Sequence, residues 1–288
     1  MIYIFLSISC SVTVAVLLKL ARRYKINVLQ AVQWNYLFAI LLSLIFFRPD
    51  LSALKVAPNI LSFSLGILLP VLFLVLASSV RRIGIVKTDI AQRLSLFIPV
   101  MASLYLFSEN FNRLKVGGLI IGFIAILFTL SRKSAVKSET KNYIYPILVF
   151  IGFGVIDVLF KQLALNKDIP YTTSLLFVFC VSFVVAICSV AYTVWVKKQR
   201  VQLINFICGG ILGIFNFGNI LFYMKAHQVM AKNPSTVFAA MNMGVIILGS
   251  VIGIVLFKEK VSKLNYLGIA LALVAIILIT LSQQYAVR

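Results

Sequence analysis

The chain has 288 residues, 62% of them apolar and 12% charged, with a mean hydropathy of +1.07. A soluble domain is about half apolar and a quarter charged, so the natural solvent for a surface this poor in charge is lipid. The net charge of +20, from 27 Lys and Arg against 7 Asp and Glu, is spread through short loops and forms no single patch. That pattern argues against a nucleic-acid partner and for cations at the lipid headgroups.

A helix needs about 20 mostly apolar residues to cross the hydrocarbon layer. Apolar runs broken by polar residues predict ten such spans, roughly 2–20, 28–47, 59–79, 84–106, 115–131, 143–164, 171–195, 203–224, 235–257 and 263–282. The first begins at Ile2 with no basic segment before it and no clear cleavage site, so it reads as a span and not a removable signal. Cys10, Cys180, Cys188 and Cys208 all lie inside apolar runs without metal-ligand spacing and read as small packing residues. Pro70 and Pro99 fall inside the third and fourth spans, where each can kink a helix. Glycines recur four residues apart at Gly118/Gly122, Gly209/Gly213 and Gly249/Gly253, a spacing that lets helices approach closely.

The longest polar stretch follows the fifth span and includes Lys133, Lys137, Glu139 and Lys141. It divides the chain into a first half, 1–132, a linker, 133–142, and a second half, 143–288. The halves match internally. Leu106-Phe107-Ser108-Glu109 precedes a fifth span ending Thr129-Leu130-Ser131, and Leu256-Phe257-Lys258-Glu259 precedes a tenth ending Thr280-Leu281-Ser282. Leu18-Lys19 of the first span likewise matches Phe160-Lys161 of the sixth. Five spans per half is an odd number, so the second copy enters the membrane opposite to the first. The predicted fold is therefore an all-α integral membrane protein of ten transmembrane helices, arranged as two inverted five-helix repeats. Inverted repeats build transporters with a substrate site near the midplane.

Ionisable groups inside spans cost about 2.5–3.5 kcal/mol each on insertion scales, so each one needs a reason. Asp157 and Lys161 lie four apart on the sixth span, acid first, the better orientation for pairing on one face. They read either as a self-neutralised pair or as a pathway-facing pair that binds charged solute or carries a coupling proton. Lys19 either reaches the headgroups or faces Asp157 across the axis between the halves. Asp89 and Arg93, with Gln92 beside them, repeat the four-residue spacing at the start of the fourth span, where an interfacial pair is the simpler reading. Trp34 and Asn35 in the second span, Asn216 and Asn219 in the eighth and Asn242 in the ninth either line the pathway or bond neighbouring helices. Glu109 and Glu259, recurring at equivalent hinges, read as structural: each caps the following helix or pairs with a nearby Arg113 or Lys263. His227, the lone histidine, is expected at a span end.

Ten short spans in two fives, with a phenylalanine–glutamate hinge and early glycine (Gly117 and Gly118, then Gly268), resemble the drug/metabolite transporter superfamily, in particular its EamA-like members. The intramembrane Lys19 is similar to a lysine these proteins often carry, whereas Gln33-Trp34-Asn35-Tyr36 departs from their common arginine–aromatic pair. The resemblance implies export or exchange of small organic solutes through a central cavity lined by the first, third, fourth, sixth, eighth and ninth helices.

No Walker loop, paired metal ligands or nucleophile–histidine set occurs, so neither an enzyme nor a cofactor is expected, and transport would be secondary. The expected partners are a small-molecule solute and membrane lipid, with the chain a monomer or homodimer in the plasma membrane, the inner membrane in a bacterium. Two other functions fit a bundle of this kind, a flippase for lipid-linked carriers and a membrane scaffold subunit without transport.

Loops after odd spans carry roughly twice the Lys and Arg of the others, which by the positive-inside rule puts both termini outside. The resemblance implies the reverse, both termini in the cytoplasm, so the orientation stays open between the two, with a slight lean to the resemblance. A reporter fused at Arg288 and active only in the cytoplasm is expected to be active; an inactive fusion, with an outside-active reporter working, reverses the orientation.

Overall fold

Hydrocarbon offers no water to a backbone amide, so long apolar runs fold as helices, whose hydrogen bonds close within the segment. The computed structural model describes all residues except 25, 48, 50–59, 84, 130–143, 167–168, 197, 259–261 and 286–288. The expected linker and Glu259 therefore lie outside the described residues. Among the described residues there are eleven helices and no strand. They are α1 (Ile2–Arg23), α2 (Val28–Phe47), α3 (Ile60–Ile83), α4 (Ile85–Leu94), α5 (Phe97–Tyr105), α6 (Arg113–Thr129), α7 (Ile144–Leu165), α8 (Tyr171–Trp195), α9 (Leu203–Val229), α10 (Pro234–Phe257) and α11 (Lys263–Tyr285). Eight are long and apolar enough to cross a membrane: all but α4, α5 and the 17-residue α6.

Burial is distributed as a lipid-facing bundle requires. Large apolar side chains such as Phe46, Trp195 and Ile277 are exposed, while Ser7, Asn35, Lys161 and His227 are fully buried. All four cysteines are free.

The expected fourth span is not one helix. It breaks at Ser95 and Leu96 into α4 and α5 because Pro99 has no N–H to continue the ladder. Ile98 N bonds Ser95 O at 3.0 Å, Leu96 N bonds Arg93 O at 3.3 Å, and the Ser95 hydroxyl donates to Gln92 O at 2.6 Å. Pro70, by contrast, lies inside an unbroken α3.

Close packing rests on glycine at several helix crossings. A Cβ on Gly209 would lie 2.6 Å from Ala31 O, and one on Gly213 2.8 Å from Asn35 O, so this pair seats α9 on the backbone of α2. Gly118 meets Ile279, and Gly268 meets the backbone of Thr129 at 2.6 Å, closing α6 against α11. Gly249 has open space around it, so close approach does not explain that residue.

The α6–α11 contact also fixes direction. Asn112 accepts Lys115 N–H at the start of α6 and donates to Ser282 O near the end of α11 (2.8 Å). Asn265, in the first turn of α11, donates to Thr129 O at the end of α6 (2.6 Å). Each helix begins beside the end of the other, so the two run antiparallel.

The packed pairs come largely in matched sets. α2 packs on α9 as α8 does on α3; α1 packs on α9 as α7 does on α3; α1 packs on α10 as α7 does on α4 and α5. Among the described residues α7 on α9 has no comparably packed counterpart between α1 and α3, and α6 on α10 has none between α11 and α4 or α5.

An added methyl at a backbone contact forces the helices apart, which costs about 1–3 kcal/mol. Gly268→Ala and Gly209→Ala are therefore expected to lower the melting temperature in detergent, whereas Gly249→Ala, placed in open space, leaves it unchanged. Equal effects at all three positions would disprove the packing role.

Candidate functional site

The polar groups of this bundle concentrate where the α5–α6 hinge, the α9–α10 turn and the end of α7 meet. Ser108 adopts a left-handed conformation (φ 49°), and Glu109 N bonds back to Ser103 O at 2.9 Å, closing the end of α5. This turn carries the Glu109 side chain inward, where it is 5% exposed. Its Oε1 accepts Lys115 Nζ at 2.8 Å and the Ser235 hydroxyl at 2.8 Å, and its Oε2 accepts Ser235 N–H at 2.9 Å. Lys115 also donates to Asn233 Oδ1 at 3.1 Å. The carboxylate thus joins the first turn of α6 to the amino terminus of α10, where the helix dipole favours a negative charge. Its cation is Lys115, not Arg113, and the helix start it caps is α10, not the one that follows it.

Lys161 completes this end of the bundle. Its side chain is fully buried, and its ammonium donates to His227 O (3.3 Å) and Ala231 O (3.0 Å), the carbonyls that close α9. A cation at a helix carboxyl terminus is favourable for the same dipole reason. The Phe107 ring lies 5.8 Å from Nζ.

One turn earlier on α7, Asp157 is half-buried, although its neighbours Ile156 and Phe160 are buried. Its Oδ1 accepts the Tyr223 hydroxyl at 2.9 Å. Asp157 and Lys161, expected as a pair, form no ion pair among the described residues; each has found a partner on α9 instead. Tyr223 stacks edge-on to Phe160 (6.1 Å) and to His227 (4.6 Å), and His227 lies 4.7 Å from Phe238 on α10. His227 lies in the last turn of α9, at the span end expected of it. α9 runs past it to Val229, and both ring nitrogens are buried without a hydrogen-bond partner.

The remaining candidates spread over the bundle. Asn216 is buried on the stripe of α9 that leads to Tyr223, and Asn219 on the same helix accepts the Ser7 hydroxyl of α1 at 2.8 Å. Trp34 packs edge-on to Phe206 (4.9 Å) at the α2–α9 seam. Trp34 Nε1 and both polar atoms of the adjacent Asn35 are buried without partners. Arg93 contacts Asp89 at 3.6 Å on α4, Gln92 is half-buried, and Asn242 Nδ2 donates to Phe238 O of its own helix at 3.2 Å. Lys19 is exposed and stacks on Phe257 at 3.7 Å. Because α6 and α11 are antiparallel, the Phe257 and Phe107 hinges sit at opposite ends of the bundle, and Lys19 does not face Asp157.

Tyr223 and Lys115 were not singled out from sequence. Tyr223 gave no signal apart from a hydroxyl in a span; Lys115 could have been found as the charge at the predicted start of the fifth span, six residues after Glu109. Among the described residues no cluster of His, Cys, Asp and Glu could hold a metal.

Eight span-length helices, lipid-facing apolar side chains and an inward-facing charged cluster define a multi-pass membrane protein. The chain belongs to the EamA-like transporter family, whose model matches residues 1–131 and 140–281, and is thereby a transporter of the drug/metabolite type. It is 40% identical over 279 residues to an uncharacterized protein of Haemophilus influenzae, covering 94% of each chain. A solved crystal structure shares the fold, with a TM-score of 0.71 at 16% identity, covering 97% of this chain and 96% of the other.

Breaking a buried ion pair by removing one partner typically costs about 3–5 kcal/mol, because the other charge is left uncompensated. Lys115→Met is expected to destabilise the protein by that order. Glu109→Gln/Lys115→Met is expected to cost less than the two single changes summed, as read from denaturation of the detergent-solubilised protein. Additive losses would mean the pair is not coupled.

Proposed function

We propose that this protein is a secondary transporter that exports or exchanges small organic solutes across the plasma membrane by alternating access. In this reading ten spans form two inverted repeats, with α4 and α5 together making the fourth span and α6 the fifth. Several observations support the duplication. Left-handed residues occur at both hinges, Ser108 (φ 49°) and Lys258 (φ 51°). Lys161 lies over Phe107 as Lys19 lies over Phe257. The fifth helices of the two halves run antiparallel, and most packed helix pairs have a counterpart five spans away.

The observation that carries alternating access is one exception to that match, the one that side-chain bonds hold. α7 is bonded to α9 through Lys161 and Asp157, while the equivalent α1 and α3 are not comparably packed. Where Lys115 anchors Glu109, the equivalent Asn265 bonds backbone carbonyls of α6 instead. The described ties at the two ends thus differ in kind, a buried charge pair at one and a neutral amide at the other, as expected of a pseudo-symmetric carrier caught facing one way. In the opposite state α1 would close on α3, and α7 would release α9. Asp157, Lys161, Asn216 and the residues near them on α9 then line the path, since intramembrane charges mark pathways.

The test is a metabolite comparison of cells with and without the protein, followed by flux of the altered solute into vesicles containing it. Flux driven by a solute or ion gradient without nucleotide is expected, with at least a tenfold loss in Lys161→Gln. Strict ATP dependence would overturn secondary transport, and no flux of any altered solute would overturn transport itself.

A further inference from the structure

Asp157 differs from the other described carboxylates in having no cation. Asp89 has Arg93 at 3.6 Å and Glu109 has Lys115 at 2.8 Å, whereas the donor found on Asp157 is the neutral Tyr223 hydroxyl. A carboxylate among helices and lipid, without a paired charge, is costly as the anion. Yet a lysine on the same helix face lies four residues away, in the orientation that favours pairing. That lysine is held off by the two carbonyls at the end of α9, His227 O and Ala231 O.

We propose that Asp157 is the coupling-ion site of this transporter, occupied in turn by a proton and by the Lys161 ammonium. With the Glu109 end closed, Lys161 caps α9 and Asp157 carries a proton on its second oxygen while Oδ1 accepts Tyr223. When α9 and the α9–α10 turn move away, the capping bonds break and Lys161 needs another acceptor. The ammonium then turns to Asp157, and the proton leaves the carboxyl for water on the side just opened. Closing reverses the exchange and takes a proton back. No bond other than O–H is made or broken, and the net charge of the pair falls from +1 to 0 as the proton passes to water: the proton and the lysine compete for one carboxylate. The mechanism rests on alternating access as proposed above.

Other groups around Asp157 leave this competition intact. On α9 these are Tyr223 and His227; at the α5–α6 hinge, Glu109 already holds Lys115. Among the described side chains of α4, the charged ones are Asp89 and Arg93, bound to each other; Lys87 of that helix lies outside them. α3 has Arg81 and Arg82, the latter over Tyr145 at the far end of α7. α5 and α8 carry no charged side chain.

The experiment uses the full chain in lipid vesicles and the proton as probe, read by pH-difference infrared spectroscopy. A carbonyl-stretch band of a protonated carboxylic acid should grow as pH is lowered, and vanish in Asp157→Asn. It should survive at a higher frequency in Tyr223→Phe, where its hydrogen bond is lost, and persist across the neutral range in Lys161→Gln, where nothing competes for the carboxylate. A band unchanged in Asp157→Asn, or one titrating as in the wild type in Lys161→Gln, overturns the proposal. If Asp157→Asn fails to fold, the frequency shift in Tyr223→Phe decides in its place, and an unshifted band overturns the assignment. Transport fails separately. Solute flux that ignores an imposed pH gradient removes the coupling role while leaving the transporter reading, whereas absence of flux overturns both.

Discussion

A polar group inside the bilayer has only the protein to bond with, and this one constraint arranges most of what is seen here. It turns the chain inside out relative to a soluble protein. Many isoleucine, leucine and phenylalanine side chains face outward beside an apolar core, while polar groups such as Ser7, Asn35, Lys161 and His227 are pulled into the helix contacts. It also explains why charges meet helix ends. Glu109 at the start of α10 and Lys161 at the end of α9 find there the backbone groups that a helix leaves unpaired. The α9–α10 turn is in this way held by side chains from two other parts of the chain, and its position follows from theirs.

The helical architecture was largely legible because the lipid constraint acts on composition, and apolar runs of span length have few other folds. The break of the run 84–106 into α4 and α5 was legible only as a kink expected at Pro99, because an apolar run says nothing about one missing N–H. Pro99 was visible, but whether a proline kinks or breaks a helix depends on what takes over the freed carbonyl, here Ile98 N. Pro70 leaves α3 whole under similar local sequence.

The candidate site was legible by residue type and not by partner. Asp157 and Lys161 stood out as ions in a span, and their spacing suggested that they pair. Their actual partners, Tyr223 and the carbonyls near His227 and Ala231, lie more than sixty residues away in the chain. Spacing along a helix reports which residues can meet; which bonds form is settled by the helices packed alongside.

Lys115 and Asn265 occupy matching places, yet one bears a charge and the other does not. Two identical halves would make the inward- and outward-facing forms equal in free energy, and the resting protein would be an even mixture. Every difference between the halves tilts that balance, and about 1.4 kcal/mol is enough for a tenfold preference. In the carrier proposed above, Lys115 is one such difference: it weighs on which side the carrier waits, and on how much a gradient must supply before it turns.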